Sequence, residues 1–70
     1  MTIQEIYAIN PEIKNIISVA KKLPNPNFQT YQRFKAIIRT KVGFESNDPK
    51  LNTARAYEVV IGELSKALKF

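Results

Sequence analysis

The chain has 70 residues, no cysteine and no histidine, and its formal net charge at pH 7 is +5. This length allows a single domain, residues 1–70, whose core contributes only about 3–5 kcal/mol of net stability. The missing residue types exclude disulfides, thiolate metal sites and histidine-based catalysis, and no apolar run approaches the ~20 residues that span a bilayer. With 44% apolar residues, the sequence predicts a folded domain, and we expect it in the cytoplasm and not in a membrane.

The first predicted element is a short helix that begins after Thr2. The tetrapeptide that starts at Thr2 and ends at Glu5 has the form of a capping box. Apolar residues then follow at spacings of three and four, as on a helix that packs on one side. They are Ile6, Ile9, Ile13, Ile16, Ala20 and Leu23. Pro11 interrupts this pattern, which leaves open one kinked helix or two separate helices.

Three dipeptides, Asn10-Pro11, Asn25-Pro26 and Asp48-Pro49, divide the chain. An Asn or Asp side chain accepts hydrogen bonds from the first turn of a helix, and proline suits the next position because its missing N–H would be unpaired there. We interpret each dipeptide as a helix start. The alternative is a plain turn, which the same dipeptides also favour.

A second helix is predicted to end at Gly43, since glycine commonly follows the last periodic residue of a helix. Its apolar residues are Tyr31, Phe34, Ile37, Ile38 and Val42. The β-branched residues leave a strand open, but strict alternation is missing, and this favours a helix. With Phe34 and Ile38 facing inward, the outward half is predicted to hold Gln29, Gln32, Arg33, Ala36, Arg39 and Thr40.

The third helix, roughly Pro49 to Lys69, has the most regular pattern. Its apolar residues are Ala54, Tyr57, Ile61, Leu64 and Leu68. Together the patterns predict an all-α fold: a small three-helix bundle, with a short additional N-terminal helix as an open possibility. Three aromatic residues, Phe28, Phe44 and Phe70, stand at the ends of elements, where we expect them to cover the small core, ahead of the alternative that they stack on bases.

The usual catalytic constellations cannot be assembled from these residues, although the sequence leaves open a pair of carboxylates that meet in space. Ser-His and Cys-His pairs are impossible, and the only two glycines, Gly43 and Gly62, cannot form a phosphate-binding loop. The six acidic residues are scattered along the chain. We therefore expect a binding domain that has no enzymatic activity, no cofactor, no metal site and no small-molecule substrate.

The positive charge is concentrated in the middle of the chain. Residues 13–44 contain seven basic residues and no acid, whereas residues 1–12 contain two acids and residues 45–70 contain four acids and four basic residues. A local excess of this kind attracts polyanions. The sequence thus favours a regulatory domain that contacts DNA or RNA through residues 13–44. Predicted phosphate contacts are Lys21, Lys22, Arg33, Lys35 and Arg39, and Gln32 is a candidate base reader. The simpler alternative is a basic face that only contacts solvent.

A helical protein–protein interaction module, as a homodimer, adaptor or inhibitor, is the other function that the sequence supports. On the third predicted helix, Arg55, Val59, Gly62 and Lys66 fall on one outward stripe. A glycine inside a helix costs about 1 kcal/mol relative to alanine and would let a second helix approach closely. The alternative is a tolerated glycine beside a single surface valine.

Overall fold

The computed structural model describes residues 1–69, which form four α-helices and no strand. The helices are α1 (Ile3–Ile9), α2 (Pro11–Lys21), α3 (Phe28–Arg39) and α4 (Ala54–Leu68). Helix α4 packs against the other three, and α2 packs against α1 and α3, which do not pack against each other. The predicted all-α bundle is confirmed, and the short additional helix at the N-terminus is present.

Pro11 separates two helices and does not kink one. Asn10 has extended backbone angles (φ −139°, ψ 94°), and its side chain accepts a 3.1 Å hydrogen bond from the Glu12 N–H. Asn10 is therefore the N-cap of α2, and Pro11 is its first residue, as the dipeptide predicted. At the start of α1, Thr2 and Glu5 form the predicted capping box.

The helix start predicted at Asn25-Pro26 is wrong by two residues. The N-cap of α3 is Asn27, whose side-chain oxygen accepts a 2.9 Å hydrogen bond from the N–H of Thr30. Both Asn25 and Pro26 belong to the irregular link between α2 and α3. Asn25 and Asn27 are both suited to cap a helix. Because Asn27 is the actual N-cap, the link between α2 and α3 is two residues longer than predicted.

Asp48-Pro49 begins a turn, so the predicted helix start is also wrong there. The carboxylate of Asp48 accepts a 2.8 Å hydrogen bond from the N–H of Lys50, and its carbonyl accepts one of 3.0 Å from the N–H of Leu51. This turn places the side chain of Leu51 in the core, where it is fully buried. Helix α4 accordingly begins at Ala54 and not at Pro49.

The C-terminus of α3 also differs from the prediction. The helix ends at Arg39, and Gly43 lies in the following loop with a positive φ of 93°. The N–H of Gly43 donates a hydrogen bond to the carbonyl of Leu51, and the loop then leads to the turn before α4. The glycine is needed for the loop conformation, which L-residues with a Cβ rarely adopt.

The core contains side chains from all four helices and from the loop between α3 and α4. The buried apolar residues are Ile6, Ile13, Ile17, Ala20, Ile38, Val42, Leu51, Ala56, Val60, Leu64 and Leu68. The core face of α4 includes Val60, whereas the predicted Ile61 is half-buried; likewise α2 buries Ile17 more deeply than the predicted Ile16. Each pair, Ile16 with Ile17 and Val60 with Ile61, is adjacent in the sequence, so the apolar spacing fits either member of the pair as the buried residue.

Two contacts establish the directions of the helices. Lys41, just past the end of α3, forms an ion pair with Glu12 in the first turn of α2. A Cβ added to Gly43 would lie 3.2 Å from the ring of Tyr57, near the start of α4. The starts of α2 and α4 therefore lie at the end of the bundle where α3 finishes, and α3 runs antiparallel to both.

Candidate nucleic-acid interface

Helix α3 presents an extensive face to solvent. All residues predicted for its outward half are exposed: Gln29, Gln32, Arg33, Ala36, Arg39 and Thr40. Within the helix only Ile38 is buried, because α3 packs against α2 and α4 on one side and no other described helix packs on the opposite side. The exposed face has no carboxylate of its own, since the helix contains no Asp or Glu.

Residues 13–44 contain no acid, but two acidic residues from outside this segment, Glu12 and Glu45, lie beside its cations. Arg39 lies 3.5 Å from the carboxylate of Glu45, and both side chains are more than half exposed. Lys41 is paired with Glu12, and its side chain is only 28% exposed. Two of the seven cations of residues 13–44 are thus partly neutralised by carboxylates from outside the segment.

Four of the five cations predicted to contact phosphate are spread from the end of α2 to the end of α3. Lys21 and Lys22 end α2, beside the start of α3, and both are exposed. Arg39 stands at the other end of α3, about 16 Å along the helix axis from its first residue. Arg33 is exposed between these ends. Within residues 1–69, no ion pair involves Lys21, Lys22 or Arg33.

A small aromatic and basic cluster occupies the first half of α3. The ring of Phe28 is 6.2 Å from that of Tyr31 at a tilt of 40°, and the Lys35 ammonium lies 5.7 Å from the centre of the Tyr31 ring. Lys35 is half-buried, and this cation–π contact keeps its ammonium at the Tyr31 ring. Phe28 is 64% exposed. Phe28 therefore does not cover the core, contrary to the prediction.

An open cleft of about 270 Å³ lies where the loop after α3 meets α4. It is lined by Arg39, Val42, Phe44, Glu45 and Tyr57. Phe44 is 80% exposed, so the prediction that it covers the core is also wrong. The third aromatic residue of that prediction, Phe70, lies outside the described residues. The volume falls just below the ~300–1,000 Å³ typical of small-molecule sites.

The alternative interface on α4 is only partly exposed. Arg55, Gly62 and Lys66 are exposed, but Val59 is half-buried and packs against the core, so its predicted outward position is wrong. Val59 turns inward because the buried face of α4 is centred on Ala56 and Val60. A Cβ added to Gly62 would meet no atom within 4 Å, which leaves open space above the helix.

Tyr7 on α1 has a pKa that is raised from the usual value of 10.0. Burial of the phenol is the main cause, and the negative charge of Glu63 on α4 adds to it. Helix α1 does not pack against α3, so this perturbed group belongs to the other side of the bundle. It lies apart from the residues that we assign to the candidate interface.

Exposed Phe28 and Phe44 are the functional candidates that sequence reasoning misjudged. Phe28 is about 80° from the inward-facing Ile38 on a helical wheel, at the margin of the buried face, so periodicity could have indicated its exposure. Phe44 lies in an irregular loop, where no spacing indicates which way a side chain points. Residues 1–69 contain no cluster of three or more Asp or Glu residues suited to a metal ion.

Comparisons with protein-family models, with curated proteins and with solved structures found no match to the chain. In the described part, no helix is long and apolar enough to cross a membrane.

Proposed function

We propose that the chain is a small non-enzymatic regulatory domain that contacts nucleic acid, DNA or RNA, electrostatically through residues 13–44. The observation that carries this proposal is the exposed outer half of α3, a basic helix without a carboxylate. Arg and Lys side chains on such a face contact phosphates, and Gln32, also exposed, is the side chain suited to a base edge. We keep the cytoplasm as the expected location, because the sequence has no cysteine.

The ends of the segment contribute different contacts. Lys21 and Lys22 extend the positive surface beyond the start of α3, while Arg39 shares its charge with Glu45. An incoming phosphate competes with Glu45 for Arg39, so this cation contributes less to affinity than Arg33 does. If the basic face only contacted solvent, Arg33 and Arg39 would not differ in their contribution to affinity for nucleic acid.

Titration of labelled duplex DNA, single-stranded DNA and RNA at several salt concentrations tests the proposal. If all five predicted cations contact phosphate on duplex DNA, the logarithm of the affinity should fall with the logarithm of the salt concentration with a slope of about −4.5. R33Q should weaken binding, whereas K50Q, which removes an exposed cation outside residues 13–44, should not. E45Q should strengthen binding by releasing Arg39. Absence of binding at low salt, or equal effects of R33Q and K50Q, would refute the proposal.

A helical protein-interaction module on α4 remains the second candidate, because the open space above Gly62 could admit another helix. Arg55 and Lys66 would flank that contact, although Lys66 lies 3.7 Å from Glu63. Size-exclusion chromatography of the wild type and G62L separates the two functions. A dimer that G62L dissociates, together with no affinity for nucleic acid, would favour the interaction module.

A further inference from the structure

One flank of α3 carries aromatic and basic residues in a single row. Phe28, Gln32, Lys35 and Arg39 lie within about 60° of one another on the helical wheel. Phe44 extends the row beyond the helix, because it lines the same cleft as Arg39. We call these five residues the aromatic-basic stripe. It places an exposed phenylalanine at each end and two cations between them.

The two phenylalanines are the most exposed large apolar side chains among the described residues. Exposed aromatic rings with cations between them are the features by which proteins bind single-stranded nucleic acid, because unpaired bases stack on rings while the phosphates contact Lys and Arg. A paired duplex has its bases stacked inside and cannot use the rings in this way. The stripe therefore matches a single strand better than it matches a duplex.

We infer that single-stranded nucleic acid binds along the aromatic-basic stripe, with one base stacked on Phe28 and another on Phe44. Lys35 and Arg39 contact the phosphates between these bases, and Gln32 hydrogen-bonds to a base edge. The inference rests on the proposed function and narrows its ligand to an unpaired strand. The charge of the stripe is complementary to that strand, since Glu45 is the only carboxylate of residues 28–45.

The stacking contribution can be separated from general hydrophobic contact by substitutions at one position. The probe is a labelled oligothymidine of about twelve nucleotides, a length within the range that single-strand binding folds cover. F28L should lower affinity by about 5- to 150-fold, the range for replacing a stacking aromatic residue with alanine, whereas F28Y should keep the affinity. F44L should behave like F28L.

Ile37 provides a matched control on the same helix. It is 47% exposed and lies about 180° around the helix from Phe28, so I37A removes exposed apolar surface outside the stripe. We expect I37A to leave oligothymidine affinity unchanged. F28L should also leave affinity for a duplex of the same length unchanged, because a duplex offers no unpaired base.

An abasic strand of equal length keeps the phosphates and removes the bases. It should bind the wild type more weakly than oligothymidine does, and F28L should not change the affinity for this abasic strand, because no base is left to stack on Phe28. The ring-proton resonances of Phe28 and Phe44 should shift upfield with oligothymidine and not with the abasic strand, a measurement that needs no variant. Equal effects of F28L and I37A, or equal affinity for both strands, would overturn the inference while leaving salt-dependent binding intact. No binding of any strand or duplex would overturn the proposed function as well.

Discussion

The backbone N–H of Gly43 donates a 2.8 Å hydrogen bond to the carbonyl oxygen of Leu51, and this bond closes the loop between α3 and α4. Gly43 has a positive φ of 93°, and a Cβ added there would lie 3.2 Å from the Tyr57 side chain, closer than ordinary van der Waals contact. G43A should therefore lower the free energy of unfolding by about 1–2 kcal/mol or more.

Gly62 is the matched control for this substitution. It lies inside α4 in open space, so G62A should raise the free energy of unfolding by about 0.5–1 kcal/mol. Urea denaturation followed by circular dichroism measures both changes. Destabilisation by G62A would contradict the open surroundings of this glycine.

The cap of α3 predicts different effects for two neighbouring asparagines. N27A removes the side-chain oxygen that accepts the hydrogen bond from Thr30, and it should cost about 1 kcal/mol of stability. N25A changes an exposed residue of the link and should cost less than about 0.5 kcal/mol. Thermal denaturation of the two variants in parallel tests this difference. A larger loss of stability in N25A than in N27A would indicate that Asn25 is the N-cap of α3, as the sequence predicted.

Leu51 is a loop residue with the burial of a core residue. L51A should cost about 2–5 kcal/mol, because it removes a fully buried side chain and leaves a cavity. A domain of this size has little more stability than that, so we expect L51A to be largely unfolded at 25 °C. K50A, one residue earlier and exposed, should retain the wild-type circular dichroism spectrum.

Tyr7 predicts a loss of stability in alkaline solution. Its pKa is raised in the folded protein, so its contribution is fully present below its unfolded pKa of about 10 and is lost as the pH rises through the folded value. Y7F removes this dependence. The stability difference between wild type and Y7F should therefore shrink or reverse above about pH 10. E63Q should reduce the dependence in part, because burial is the larger cause.

The local elements of the fold were largely readable from the sequence. Capping signals at Thr2 and Asn10 depend on residues within one turn, so the pattern predicted them correctly. The start of α4 could not be predicted in this way. Asp48-Pro49 favours a turn and a helix alike, and burial of Leu51 by distant helices decides between them.

The candidate interface was predictable only in part. Periodicity identified the exposed half of α3 because one inward direction determines every other position on a helix. The pairing of Lys41 with Glu12 and of Arg39 with Glu45 requires the packing of helices and loops that the sequence leaves open. Exposure of Phe44 likewise follows from the course of a loop.

Helix α3 buries one side chain, whereas α2 buries three and α4 buries four. Few buried contacts allow a segment to open without global unfolding, so the amide hydrogens of α3 should exchange with deuterium faster than those of α4. Helix α3 thus combines a broad exposed face with few buried side chains. We expect bound nucleic acid to slow amide hydrogen exchange in α3 before it does so elsewhere, so exchange in α3 would reveal whether nucleic acid is bound.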